Sequence, residues 1–157
     1  MLFAGAMAVS DDAARIAVRT AKASDCRALQ RLIGQLGYEV TEAQVAERLT
    51  EMEREGHLVL VADLHGEVVG CLSTSVMRVL HRPAPVGRIS MMVVDSAVRG
   101  RGIGAELVRS AEEALVAGGC QLVEITSNLA RIDAHRFYER LGYQRTSVRL
   151  AREPGGR

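Results

Sequence analysis

Val94-Asp95-Ser96-Ala97-Val98-Arg99-Gly100-Arg101-Gly102-Ile103-Gly104-Ala105 is the stretch on which the reading of this chain turns. An apolar run, Met91 to Val94, enters a short loop with three alternating glycines, and a helical pattern opens directly behind it. Glycines let a backbone approach a ligand closely and present consecutive N–H groups. A helix N-terminus adds unpaired donors and the positive end of a dipole. Together they make an anion site suited to phosphate or pyrophosphate, and Arg99 and Arg101 add positive charge there. An ordinary strand-to-helix connection rarely gathers three glycines and two arginines at a helix mouth.

Three phosphate-binding architectures share this grammar. A P-loop needs Lys-Ser or Lys-Thr after its last glycine, and Ala105-Glu106 stand there instead. A dinucleotide fingerprint fits better: Gly100 to Ala105 reads G-x-G-x-x-A, and Glu124 comes about 20 residues on, where a ribose-binding acid belongs. Against it, Ser96 to Arg99 intervene between strand and glycines, and only about fifty residues remain for the repeated halves of that fold.

The third architecture fits both the loop and the C-terminal stretch beyond it. Arg99-x-x-Gly102-x-Gly104 resembles the Q/R-x-x-G-x-G/A signature of the GNAT N-acetyltransferase superfamily, whose loop grips the pyrophosphate of acetyl-CoA. A second landmark of that family is similar to Ala134-His135-Arg136-Phe137-Tyr138-Glu139-Arg140-Leu141-Gly142-Tyr143. The resemblance runs from about Arg15 to Leu150. In the C-terminal half, Glu124 to Asn128 and Arg131 to Tyr138 resemble more narrowly the aminoalkylphosphonate and related small-amine N-acetyltransferases. The Leu80-His81-Arg82 loop is similar too.

Composition agrees with one globular domain. The 157 residues are 48% apolar and 25% charged, with a net charge of +1, so nothing suggests a nucleic-acid surface. No run of about 18 apolar residues exists, so no membrane span is expected. Met1 to Val9 is apolar but lacks a basic lead and is short for a secretory signal. Residues 1–14 therefore read as a flexible tail ahead of a domain over 15–157. Cys26, Cys71 and Cys120 are odd in number and far apart, which suits reduced thiols in a cytoplasm. No Cys/His spacing resembles a zinc site.

Periodicity places the elements. Arg15 to Arg19 alternates as a first strand, and Ser24 caps a helix with Leu29, Leu32, Ile33 and Leu36 on one face, closed by Gly37. Thr41-x-x-Gln44 is a capping box opening a second helix, with Val45, Leu49 and Met52 in register, that ends near Gly56. Leu58 to Asp63 and Glu67 to Val76 form a hairpin about His65-Gly66. Val86 to Asp95 is the next strand. Ile103, Leu107, Ala111 and Leu115 mark a helix that stops at Gly118-Gly119. Gln121 to Thr126 is a buried strand, Asp133 to Arg140 a short helix and Tyr143 to Leu150 a last strand. The expected fold is α/β, a mixed but mostly antiparallel sheet flanked by helices in the order β-α-α-β-β-β-α-β-α-β, as in the GNAT fold.

The resemblance implies an N-acetyltransferase that moves acetyl from acetyl-CoA to a primary amine by direct attack. Gly100 to Ala105, with Arg99, would hold the pyrophosphate. Met92, Val93 and Val94 lie on a strand that splays from its neighbour in similar enzymes, freeing backbone groups for the pantetheine. Tyr138 takes the place of the general acid that protonates departing thiolate; a phenol of pKa about 10 is a proton donor at neutral pH. Packing is its bland alternative. An alkylamine is almost wholly protonated at pH 7, so a base is needed. Many relatives carry a glutamate before the glycine loop, but Arg88-Ile89-Ser90-Met91 has none, which leaves Glu124 on the next strand. Asn128 and Arg131 are further candidates for cofactor contact, and a homodimer is expected by family habit. A non-catalytic acyl-CoA-binding module, a peptide or protein N-acetyltransferase and a nucleotide oxidoreductase stay open as alternatives.

Overall fold

The computed structural model describes residues 16–155. The expected tail over residues 1–14 lies outside them. Five strands form one sheet in the spatial order of the chain: β1 (Ile16–Thr20), β2 (Val59–Leu64), β3 (Glu67–Met77), β4 (Val86–Val94) and β5 (Leu122–Ile125). The first four pair antiparallel and β4 pairs with β5 in parallel. Antiparallel neighbours accept tight turns, and β2 passes to β3 through His65 and Gly66, both at positive φ, with Asp63 accepting from the Gly66 amide at 2.7 Å. A parallel pair requires a crossover, here the helix α3 (Ile103–Ala117).

Alternation along the strands gives the sheet two apolar faces. Val59, Val61, Val68, Cys71 and Val93 point to one, covered by α1 (Cys26–Gln35) and α2 (Glu42–Arg54). Leu60, Ala62, Leu72 and Ile89 point to the other, where Ile103, Leu107, Val108 and Ala111 of α3 meet them. Each large side chain so buried contributes about 1.5–3 kcal/mol relative to exposure. The helix approaches closely because Gly87 carries no side chain: a Cβ there would stand 2.8 Å from Leu115 Cδ1. The Thr41 capping box is formed on both sides, with Gln44 N–H donating to Thr41 Oγ1 and Thr41 N–H to Gln44 Oε1.

Three local expectations are corrected. Residues 143–150 form no strand; the segment leaves α4 (Ile132–Arg140) as an open chain, with Val148 76% and Leu150 90% exposed. Its alternation supplies side chains suited to a strand, but β5 spends its ladder on β4, and among the described residues its other edge has no partner. β5 is half-buried rather than buried, because Leu122 at that edge faces solvent. Ser24 does not cap α1. It sits inside a short 3-10 turn (Ala23–Asp25), and Asp25 occupies the helix's first position outside.

The Asp25 carboxylate turns instead to Arg19, accepting at 2.8 and 3.0 Å, and to the Lys22 amide at 2.7 Å, while Arg19 reaches on to Asp63. A second polar tie joins α1 to the end of β4. Asp95 accepts from the Ala97 amide, from Arg31 and from Gln35, and Gln35 in turn accepts from the Ser96 amide. Arg19 holds Asp25 below the usual carboxylate range, and the Ala97 amide, helped by Arg31, does the same for Asp95. A depressed folded pKa gives stability that is present above the unfolded value, near 3.9, and lost as pH falls through the folded one. Thermal melts are therefore expected to be level from pH 7 to about 5 and to fall below about 4. Asp25→Asn, which leaves Arg19 only Asp63, should remove about 2 kcal/mol at pH 7 and soften the acid decline. An acid limb unchanged in this variant contradicts the assignment.

Candidate active site

The site grows out of how β4 parts from β5. Their ladder covers Val86↔Leu122 to Ile89↔Ile125 and stops, so the β4 edge beyond it, over residues 90–94, has no strand partner on that side among the described residues. On the other side β4 carries a bulge: Met91 faces Ser73 and Ile89 faces Thr74, which leaves Ser90 unmatched. A bulge bends its strand and increases its twist, here at the residue just past the end of the β4–β5 ladder. Ser90 Oγ lies 3.1 Å from Ser73 Oγ and donates to the Ser73 carbonyl at 3.2 Å. The result is a fork that opens toward the C-terminal ends of both strands. Met92 and Val94 face the α3 side of it, and Val93 the α1 side.

At the open end stands the glycine loop. After Val94 a 3-10 turn (Ser96–Val98) leads to Gly100 at φ +81° and Gly102 at φ +78°, and α3 begins at Ile103. The left-handed backbone at Gly102 aims the chain into the helix, and no side chain caps the helix there. The first intrahelical bond is from Glu106 N–H to the Gly102 carbonyl, so the amides of Ile103, Gly104 and Ala105 remain without helical acceptors. Arg99 folds back to donate to the Val94 carbonyl at 3.2 Å, and both Arg99 and Arg101 are exposed. A cavity of about 310 Å³ beside the loop is lined by Gly102, Ala105, Glu106, Arg109 and Leu141 among others. Three uncapped donors and two arginines fit a phosphate-bearing group.

α4 closes the α3 side of the fork. Phe137 packs on Gly104, where a Cβ would lie 3.2 Å from the ring. Tyr138 stacks edge-on between Phe137 and Tyr143, at centroid distances of 5.2 and 6.1 Å. Burial pushes the Tyr138 phenol above its usual pKa, and the positive charge of Arg131 opposes this. A raised phenol stays a proton donor across the physiological range. Tyr143 is committed elsewhere, since its hydroxyl donates to Glu112. Arg131 precedes α4 and is exposed; Asn128 Oδ1 accepts from the Ala130 amide at 2.9 Å, tightening the turn between β5 and α4.

Glu124 lies across the sheet from these groups. It pairs in register with Arg88, whose Nε donates to Glu124 Oε1 at 2.6 Å. Sequence reasoning named Glu124 but missed its partner. It missed the Ser73–Ser90 hydroxyl pair and the Asp95 tie as well, since each joins residues far apart in the chain. Among the described residues no group of three or more His, Cys, Asp or Glu is arranged to hold a metal, and no helix is long and apolar enough to cross a membrane. Cys26, Cys71 and Cys120 are free and buried, and burial pushes the Cys71 thiol up to about 12.

Comparison with known proteins adds to this geometry. Residues 23–143 match the model of the acetyltransferase (GNAT) family. An 88-residue stretch is 40% identical to an aminoalkylphosphonate N-acetyltransferase of Salmonella typhimurium, covering 56% of this chain and 57% of that protein. A stretch of 76 residues is 38% identical to the N-alpha-acetyltransferase MAK3 of Arabidopsis thaliana, over 48% of this chain and 40% of the relative. The chain thus spans about half the length of the curated relatives it matches. Among solved structures, one described as a transcriptional regulator from Bacillus halodurans C-125 superposes with a TM-score of 0.81 at 26% identity, over 88% of this chain and 99% of the other.

Proposed function

Because the chain belongs to the acetyltransferase (GNAT) family, we propose that it is an N-acetyltransferase that carries acetyl from acetyl-CoA to the primary amine of a small molecule. The observation that carries this reading is the row of uncapped amides behind Gly102, standing where β4 and β5 part. Bound acetyl-CoA supplies an acetyl group already activated as a thioester. Gly102, Ile103, Gly104, Ala105 and Arg99 hold its pyrophosphate, Gly100 and Arg101 shape and charge the loop, and Asn128 and Arg131 flank it from the β5 side. The freed β4 edge at Met92, Val93 and Val94 offers backbone donors and acceptors along the fork, which also supplies hydrogen bonds as charge develops on the carbonyl oxygen.

Glu124 takes one proton from the ammonium so that a neutral amine can attack. As the N–C bond forms and the C–S bond breaks, Tyr138 donates its hydroxyl proton to the departing thiolate, and the second proton shed by the acetylated nitrogen restores the Tyr138 hydroxyl while Glu124 passes its proton to solvent. One proton is released to solvent overall. None of the cysteines joins in, because all three are buried, so attack is direct. The free thiols support a reducing cytoplasm, and the unpaired β5 edge is a surface on which a homodimer could be built.

The test is free-thiol release from acetyl-CoA with a panel of amines: aminophosphonates, aminoglycosides, polyamines and peptides with free N-termini. Turnover with at least one small amine is expected. The likeness to an N-alpha-acetyltransferase favours a second reading, which turnover with peptides alone would select. Coenzyme A binding with no thiol release from any amine would leave an acyl-CoA-binding module.

A further inference from the structure

Between the end of β4 and the glycine loop, the backbone amides of residues 95–98 are all engaged. The Asp95 amide donates to the Val69 carbonyl at 2.8 Å, carrying the β3–β4 contact one residue past Val94. The Ser96 amide donates to Gln35 Oε1, the Ala97 amide to Asp95 Oδ1 and the Val98 amide to the Asp95 carbonyl, each at 3.0 Å. Further on the pattern reverses. Gly100 and Gly102 are left-handed, and the amides of Ile103, Gly104 and Ala105 have no helical acceptors. A fastened root carries a row of free donors.

The fastening comes from α1. Arg31 and Gln35 are four residues apart at its C-terminal end, so they share one face of the helix. Arg31 Nη1 donates to Asp95 Oδ2, and its Nη2 to the Val68 carbonyl at 3.1 Å. Gln35 clasps the root with both ends of its amide: Nε2 donates to Asp95 Oδ1 at 3.3 Å while Oε1 takes the Ser96 amide. Asp95 is only 9% exposed, so its carboxylate depends on these donors. Arg31 and Gln35 lie 64 and 61 residues before their partners and are no part of the loop.

We propose that Arg31 and Gln35 are positioning residues for coenzyme A. Through Asp95 and Ser96 they fix the root of the glycine loop, so its free amides converge on the pyrophosphate before it arrives. The two left-handed glycines give the loop a freedom that binding has to remove. A loop already held in place loses less on binding and holds its ligand more tightly. The proposal rests on the phosphate-binding reading of the loop and adds a second element, α1, that sets its affinity.

The experiment measures coenzyme A affinity by calorimetry in the wild type, Gln35→Ala, Arg31→Ala, Arg31→Lys and Arg31→Ala/Gln35→Ala, with thermal melts on each. Both side chains are largely in solvent, that of Arg31 44% exposed, so truncation leaves no buried void and the proteins should fold. Affinity should fall about fivefold in Gln35→Ala, about tenfold in Arg31→Ala and about 30-fold in the double variant, the range for losing hydrogen bonds to a charged partner. Arg31→Lys keeps the charge without the fork and should fall between Arg31→Ala and the wild type. Where an amine is turned over, KM for acetyl-CoA should rise with the dissociation constant while kcat stays within about twofold, because ground state and transition state lose the same contact.

Asp25→Asn is the control, since it loosens the other end of α1, where Asp25 meets Arg19, away from the loop. It should lower the melting point and leave coenzyme A affinity unchanged. Wild-type affinity in both Gln35→Ala and the double variant overturns the proposal. So does a loss in Asp25→Asn as large as in Arg31→Ala, which marks a general loosening of the fold. If Arg31→Ala fails to fold, Gln35→Ala and Arg31→Lys decide by the same criteria. A wild type that binds no coenzyme A overturns the phosphate reading of the loop and this proposal together, whereas wild-type binding that the variants share overturns the positioning role alone.

Discussion

Gly102→Glu is expected to abolish coenzyme A binding while the protein stays folded. The position tolerates a side chain sterically, since nothing lies within 4 Å of the Cβ it would carry. Its backbone is left-handed at φ +78°, which costs an L-residue roughly 1–2 kcal/mol. That strain should lower the melting point by a few degrees in a domain of this size. The larger effect is electrical. A carboxylate at the mouth of α3 competes for the amides of Ile103, Gly104 and Ala105 and faces a pyrophosphate of like sign. Two such charges about 4 Å apart near a protein surface repel by about 4 kcal/mol, or roughly a thousandfold in affinity. Gly102→Ala separates the two contributions, because it carries the strain without the charge and should weaken binding far less. Calorimetry with coenzyme A reads both variants. Retained affinity in Gly102→Glu at an intact melting point would remove the phosphate role from this loop.

That loop was legible in the sequence because everything it needs is local. Left-handed turns at Gly100 and Gly102 and a helix opening at Ile103 are encoded within six residues. The α3 stripe of Ile103, Leu107, Ala111 and Leu115 was legible for the same reason, since a 3.6-residue period depends on no other part of the chain. What escaped depends on register. Arg88 and Glu124 are 36 residues apart, Arg31 and Asp95 are 64 apart, and each pair meets only through the sheet or a helix laid across it. The bulge at Ser90 is equally silent in sequence, because it exists only by comparison with the strand opposite. Tyr143 to Leu150 failed in the other direction: its alternation is a local property, but a strand needs an edge that pairs with it, and no ladder forms there.

Tyr138→Phe is the sharpest test of the chemistry because it removes one oxygen and almost no packing. The ring of Phe would keep the edge-on contacts with Phe137 and Tyr143, so the melting point and the affinity for coenzyme A should stay within a factor of about two of the wild type, as for a substitution that conserves volume. The rate at saturating acetyl-CoA and amine should fall by about 100-fold, the lower end of what a positioned general acid contributes. A loss in kcat with little change in KM is the signature of a group that acts in the transition state. The pH profile carries an independent reading. Burial holds the phenol above its ordinary value near 10, with Arg131 pulling the other way, and an acid works only while protonated. The wild-type rate should therefore decline at the alkaline end as the phenol ionises, and that decline should vanish in Tyr138→Phe while the rise due to amine deprotonation remains. An unchanged kcat with every amine accepted would return Tyr138 to the role of a packed ring and leave the departing thiolate, whose own pKa of about 8.5 makes it a tolerable leaving group, to depart without help.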